Sequence, residues 1–220
     1  MSGIYVVIPA YNEAQRIGEV LQSLIKLPYS LVVVDDGSSD NTTEIVAQYP
    51  VIFLRHKINR GQGAALYTGT LYALSQEADA IVHFDADGQF LAGEIERLLE
   101  PILSRQADIV FGSKFLQSNK IPFLKKLFII RPAIWLNNIM TGLPLTDVHN
   151  GFRAMSGSAA RQIDIKQDAM AHASEIVSQT KKLKLRYQEV PVTVIYREFG
   201  QGFFGGIKIL LDLFIKKINQ

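Results

Sequence analysis

The sequence predicts one α/β domain: a mostly parallel central sheet with helices on both faces. Three observations carry that prediction. Short apolar runs recur along the chain, segments with helical periodicity separate them, and each run breaks off into polar or acidic residues. Strands alternating with amphipathic helices form right-handed crossover units, and a parallel sheet built that way is covered on both sides.

Ile4 to Ile8 is the first apolar run, closed by Pro9, and reads as a buried strand. Asn12 is placed to cap a helix whose apolar residues Ile17, Val20, Leu21, Leu24 and Ile25 share one face. Leu31 to Val34 forms the second strand and runs into Asp35-Asp36-Gly37-Ser38-Ser39-Asp40, after which Asn41 and Glu44 have the spacing of a capping box. Val51 to Leu54 makes a third strand, Ala64 to Leu74 a helix, and Ala80 to Phe84 a fourth strand. Leu91, Ile95, Leu98, Leu99 and Ile102 trace the next helical stripe, which Pro101 is expected to kink or shorten. Ile109 to Phe111 is the fifth strand. Lys184 to Glu189 and Val192 to Tyr196 read as two short strands around Pro191.

Composition narrows the function. With 220 residues, 48% of them hydrophobic, the chain can bury one sizeable core. A formal charge of +2 gives no global attraction for nucleic acid, and the absence of cysteine excludes disulfides and thiolate metal sites. Met1 to Pro9 has no basic leader, and no run is apolar and long enough to span a bilayer, so a cytoplasmic location is expected.

In open α/β sheets ligands bind beyond the carboxyl ends of the strands. Tyr11-Asn12-Glu13, Asp35-Asp36, Asp85-Ala86-Asp87 and Ser113-Lys114 each follow a strand directly, which puts four polar clusters on one rim. Asp85 and Asp87 are the most telling. Carboxylates at i and i+2, turned by Gly88, can face one hard cation, with Gln89 adding an oxygen nearby, and such a cation binds nucleotide phosphates. Lys57 to Leu66 is a basic, glycine-rich entry to a helix whose backbone amides, with Arg60 beside them, suit a phosphate. It is not a dinucleotide fingerprint, because Leu66 stands where the third glycine belongs and the motif does not follow the first strand.

Four motifs in order carry a resemblance: Val7-Ile8-Pro9-Ala10-Tyr11-Asn12-Glu13, Val33-Val34-Asp35-Asp36-Gly37-Ser38-Ser39-Asp40-Asn41-Thr42, Asn59-Arg60-Gly61-Gln62-Gly63 and Asp85-Ala86-Asp87-Gly88-Gln89. Together they resemble the glycosyltransferases of family 2, which have the GT-A fold. Thr146-Asp147-Val148-His149-Asn150-Gly151-Phe152-Arg153 is similar to the stretch found in the dolichyl-phosphate mannosyltransferase and polyprenyl-phosphate glycosyltransferase branch. The resemblance covers about residues 4–198, leaving 199–220 as a glycine-rich connector or lid and a terminal amphipathic helix. It implies that Pro9, Tyr11, Glu13 and Asp36 hold the nucleoside of a UDP- or GDP-sugar, that Arg60 lies near the diphosphate, and that Asp85, Asp87 and Gln89 bind magnesium or manganese.

The chain departs from that branch on the acceptor side. Ser113-Lys114 replaces a usual arginine, and Val148-His149-Asn150 precedes Gly151 where the branch has a serine. A polyprenyl phosphate is dianionic enough at neutral pH to attack without a base, so Arg153, Lys114 and Arg131 are the expected phosphate-holding residues. A glycan hydroxyl, the alternative acceptor, needs a carboxylate, for which Asp147 and Glu175, the latter on a helix expected to face the cleft, are the candidates. His149 reads as a loop histidine and His83 as a core one.

Between Lys114 and Thr146 there is no acidic residue, while Lys114, Lys120, Lys125, Lys126 and Arg131 sit among aromatics and aliphatics. That composition, with the apolar face expected at 203–218, suits peripheral contact with the cytoplasmic face of a membrane, and the terminal helix suits a homodimer contact equally. Two rival classes remain for comparison. A sugar nucleotidyltransferase should open with a basic glycine-rich loop where this chain has Ala10-Tyr11-Asn12-Glu13, and a non-catalytic binding scaffold should have lost acidic residues that are all present.

Overall fold

The computed structural model describes residues 3–116, 142–167 and 171–195. Among these residues seven strands form one sheet: β1 (Ile4–Ala10), β2 (Ser30–Asp35), β3 (Ile52–Arg55), β4 (Ala80–His83), β5 (Ile109–Ser113), β6 (Arg153–Ser156) and β7 (Tyr187–Pro191), in the order β3-β2-β1-β4-β6-β5-β7. The pairs β1 with β2, β1 with β4, β2 with β3 and β5 with β7 are parallel. Only β6 runs the other way, antiparallel to both β4 and β5.

Alternation along β1 explains the layering. Val6 and Ile8 face one apolar cluster with Ile17, Leu21 and Leu24 of α1 (Ile17–Leu24) and Ile95 and Leu98 of α4 (Ile95–Leu103). Val7 faces the other, with Ala65 and Leu66 of α3 (Gln62–Ser75), Ala159 of α5 (Gly157–Ala160) and Ile176 of α6 (His172–Lys182). The five core strands expected from the apolar runs are all present, and both faces are covered as expected.

Several local expectations are corrected. Pro9 does not end β1, which runs on to Ala10 with Pro9 opposite Val34. Asn12 caps no helix: α1 starts five residues later, and Asn12 takes φ 55° in a turn where its Oδ1 accepts from the Ser39 N–H at 2.9 Å. The Asn41–Glu44 box does not form around α2 (Thr42–Val46), because Asp40 takes over, accepting from the Thr42 N–H at 3.0 Å. Pro101 lies in the last turn of α4, which ends at Leu103. Among the described residues one strand, β7, stands where two were expected around Pro191, and Val194 makes an isolated bridge to Phe90. No helix among the described residues is long and apolar enough to cross a membrane. The basic stretch with Arg131, the lid expected at 199–206 and the terminal helix lie outside the described residues.

The reversed strand β6 matters most for the site. Its register sets Arg153 opposite His83 at the end of β4, so the loop 147–152 arrives on the rim where β4 releases Asp85.

Candidate active site

A cleft of about 410 Å³ opens at the carboxyl ends of β1, β2 and β4, lined by Pro9, Ala10, Tyr11, Glu13, Asp36, Asn59, Gly61, Gln62, Ala65, Asp85, Ala86 and Asp87. Three of the four clusters expected on this rim contribute to it, and Ser113-Lys114 is not among the lining residues. Tyr11, among the lining residues, is 47% exposed. The loops beneath are tied together: Asn12 N–H donates to Ser38 Oγ, Glu13 N–H to Thr42 Oγ1, and Ala14 N–H to Asp40 Oδ2.

Asp36 is buried and serves the β3–α3 loop. Its Oδ1 accepts from the Arg60 N–H at 3.0 Å and pairs with His56 Nδ1 at 2.7 Å, and its Oδ2 accepts from the Gly61 N–H at 2.6 Å. Two amides expected to cradle a phosphate are therefore already bonded to a carboxylate. The exposed Arg60 side chain is not among the cleft-lining groups.

The acid pair sits at the other end of the cleft. Gly88 at φ 72° closes the turn, and Asp87 Oδ1 accepts from the Gln89 N–H at 2.9 Å. Burial raises the Asp85 pKa to about 7, helped by the neighbouring Asp87 charge and opposed by Arg153. Burial also raises Asp87 and Glu13, the latter despite its ion pair with Arg16 at 3.6 Å. Carboxylates crowded against one another in this way are what a hard divalent cation relieves, and their oxygens are the donors it prefers. Among the described residues no three His, Asp or Glu side chains converge into a ready-made cage. The Gln89 side chain does not line the cleft; its backbone C=O accepts from the Ile195 N–H.

The loop from β6 closes on this pair. Phe84 and Phe90, which flank the acidic turn, both pack on Phe152, with ring centroids 5.2 and 4.9 Å away. Arg153 is fully buried, and its guanidinium donates to the Gly151 and Asn150 carbonyls, at 3.3 and 3.0 Å. Burial lowers its pKa to about 10, still cationic at neutral pH. In this arrangement it backs the acid pair and does not reach the cleft surface, a correction to its expected role as an acceptor-phosphate ligand.

The remaining expected residues are engaged elsewhere. Asp147 accepts from the Lys114 N–H at 3.3 Å and from Asn150 Nδ2 at 3.2 Å, with Lys114 Nζ at 3.7 Å, so the proposed base and the proposed phosphate-binding cation are partners of each other. Glu189, which the sequence did not single out, anchors the same loop by accepting from the Thr146 N–H and hydroxyl, and burial raises its pKa. Glu175 does not line the cleft: its Oε2 accepts from the Lys166 and Gln167 N–H groups at 3.0 and 2.9 Å. His83 is a core histidine, with Nε2 3.0 Å from Thr70 Oγ1 and burial holding its pKa well below the usual range. His149 is exposed in its loop.

The chain is similar to known proteins along most of its length. The chain is 32% identical, over 99% of its length and 97% of the relative's, to a UDP-N-acetylglucosamine–dolichyl-phosphate N-acetylglucosaminyltransferase of Methanococcus voltae. It is also 32% identical to an undecaprenyl-phosphate mannosyltransferase of Micrococcus luteus, over 92% of this chain and 88% of that one. Among solved structures, glucosyl-3-phosphoglycerate synthase from Mycobacterium tuberculosis, in complex with Mn2+, UDP and phosphoglyceric acid, superposes with a TM-score of 0.69 at 19% identity, covering 92% of this chain and 73% of that one. That likeness concerns the fold, which is GT-A. The family model described as glycosyl transferase family 2 matches residues 5–164, and the chain, a glycosyltransferase, belongs to that family.

Proposed function

We propose that this enzyme moves a hexose-type sugar, with inversion, from a UDP- or GDP-sugar to a polyprenyl phosphate, using a divalent cation held by Asp85 and Asp87. The observation that carries the reading is the acid pair itself: two carboxylates facing the cleft, both held above their usual pKa by burial, on the rim where Glu13 and Asp36 also converge. Relatives that act on dolichyl and undecaprenyl phosphates support the acceptor, and a fold neighbour solved with Mn2+ and UDP supports the metal.

When bound, the cation supplies charge neutralisation to the departing diphosphate. The rest falls to the chain. Glu13 offers a carboxylate to ribose hydroxyls, Tyr11 a ring face to the base, and Asp36 fixes the Arg60–Gly61 backbone beneath the donor. A phosphate dianion is already a nucleophile and needs no proton removed, so the chain's task is to orient it for in-line attack on the anomeric carbon. The state of Asp147 and Glu175 favours this acceptor over a hydroxyl, since each carboxylate is already bonded to protein donors. Lys114, 34% exposed at its side chain, is the described cation best placed on the acceptor side. Contact with the cytoplasmic face of a membrane through 114–146 and 203–218, which brings the lipid within reach, is part of the same proposal.

The test is a transfer assay with radiolabelled UDP-GlcNAc, UDP-glucose and GDP-mannose and vesicles carrying polyprenyl phosphate, with Mn2+, Mg2+ or EDTA. Label entering an acid-labile lipid fraction only when metal is present is the expected result. Label passing solely to water or to a glycan hydroxyl overturns the acceptor assignment.

A further inference from the structure

Asp85 is held from two sides by parts of the chain far apart in sequence. On one side Gln62, the first residue of α3, donates from Nε2 to Asp85 Oδ1 at 2.7 Å. On the other, Gly151 lies so close that a Cβ there would run into the Asp85 carboxylate. Gly151 does not have a left-handed backbone, so the lack of a side chain answers to space and not to torsion. Its position is itself fixed: Arg153 holds the carbonyls of Asn150 and Gly151, Asn150 Oδ1 accepts from the Phe152 N–H, and Phe152 packs against both Phe84 and Phe90.

We propose that Gln62 and Gly151 are positioning residues that clamp the Asp85 carboxylate between them and fix how it faces a divalent cation. With Oδ1 engaged by an amide and the other flank filled by backbone, the carboxylate has one orientation, and the cation meets a preset ligand instead of one that must be ordered on binding. The same clamp joins the donor side to the acceptor side. Gln62 opens α3 directly after the loop that Asp36 anchors, and Gly151 belongs to the loop that Asp147 and Glu189 anchor. A shift of either loop is transmitted to the metal-binding carboxylate.

This inference rests on the proposed cation at Asp85 and Asp87, and the experiment separates the two. Mn2+ is titrated into the full chain, followed by the electron paramagnetic resonance signal of unbound Mn2+, with UDP or GDP present, whichever raises the melting temperature. Gln62→Leu, Gly151→Ala, the double variant and Asp85→Asn are compared with the unaltered chain, and each variant's melting temperature is recorded in EDTA. Outer-shell partners of metal ligands are worth about 10- to 100-fold in affinity. Each single variant should therefore weaken Mn2+ by about tenfold or more while its metal-free melting temperature stays within a few degrees. The double variant should lose less than the product of the two, because a carboxylate released by Gln62→Leu can move aside for the new methyl group. Mn2+ bound by both single variants as tightly as by the unaltered chain, with Asp85→Asn abolishing binding, overturns the clamp and leaves the cation site standing. Weakening of a single variant accompanied by a large loss of metal-free stability, or strictly multiplicative losses, also overturns it. No Mn2+ binding by the unaltered chain overturns the cation reading and the clamp together.

Discussion

Replacing Asp85 with Asn should stabilise the metal-free protein at neutral pH while destroying its cation site. The two carboxyl pKa values, about 7 folded against an ordinary 3.8, set the magnitude. Between those values the folded chain binds a proton that the unfolded chain has released, so stability falls as pH rises from about 4 to about 7 and stays low above that. At ~1.4 kcal/mol per pKa unit the ceiling is ~4 kcal/mol; partial solvation by the cleft makes roughly 2–4 kcal/mol realistic. Asn keeps the shape and still accepts from Gln62 Nε2, so the comparison isolates the charge. Urea unfolding in chelator should give the variant an advantage of about 1–2 kcal/mol at pH 5, growing to about 2–4 kcal/mol at pH 8. With nucleotide and Mn2+ at about 1,000 times the dissociation constant the order should reverse, because binding adds ~4.1 kcal/mol to the unaltered chain alone. Equal stability at every pH, or a variant weaker at pH 8 without metal, would refute the claim that Asp85 is a strained acid kept for a cation.

Asp87→Ala should abolish metal-dependent nucleotide binding in a thermal-shift titration and cut sugar transfer by about 100-fold or more, with little change in metal-free stability. Glu175→Gln should keep transfer within a few-fold and lose about 1 kcal/mol in urea unfolding, since its carboxylate serves two loop amides. Arg153→Met should cost about 3 kcal/mol or more, leaving two loop carbonyls without their donor, and a circular-dichroism melt that matches the unaltered chain contradicts its structural role.

The sheet was legible because buried parallel strands announce themselves as unbroken apolar runs, and β1, β2 and β4 are such runs. β6 was not: Arg153-Ala154-Met155-Ser156 has neither an apolar run nor β-branched residues, and it is a strand because β4 and β5 sandwich it. The cleft residues Pro9, Tyr11, Glu13, Asp36, Asp85 and Asp87 were readable from their positions just past strand ends and from the family motifs. What a sequence does not carry is which partner each polar atom chooses. Asp36 spends its oxygens on the Arg60–Gly61 backbone, Asp147 pairs with Lys114, and Gln62, visible only as a polar residue between two glycines, reaches the acid pair. Capping failed for a similar reason, because Asp40 competed successfully with Asn41 for the start of α2.

Crystals grown with Mn2+ and either UDP or GDP, and measured at the manganese absorption edge, test the central claim most directly. One anomalous peak within bonding distance of Asp85 and Asp87 carboxylate oxygens, touching the nucleotide's phosphates on its other side, is the predicted result. A manganese peak away from both aspartates, or a nucleotide seated in the cleft with no metal between its phosphates and the acid pair, would contradict it.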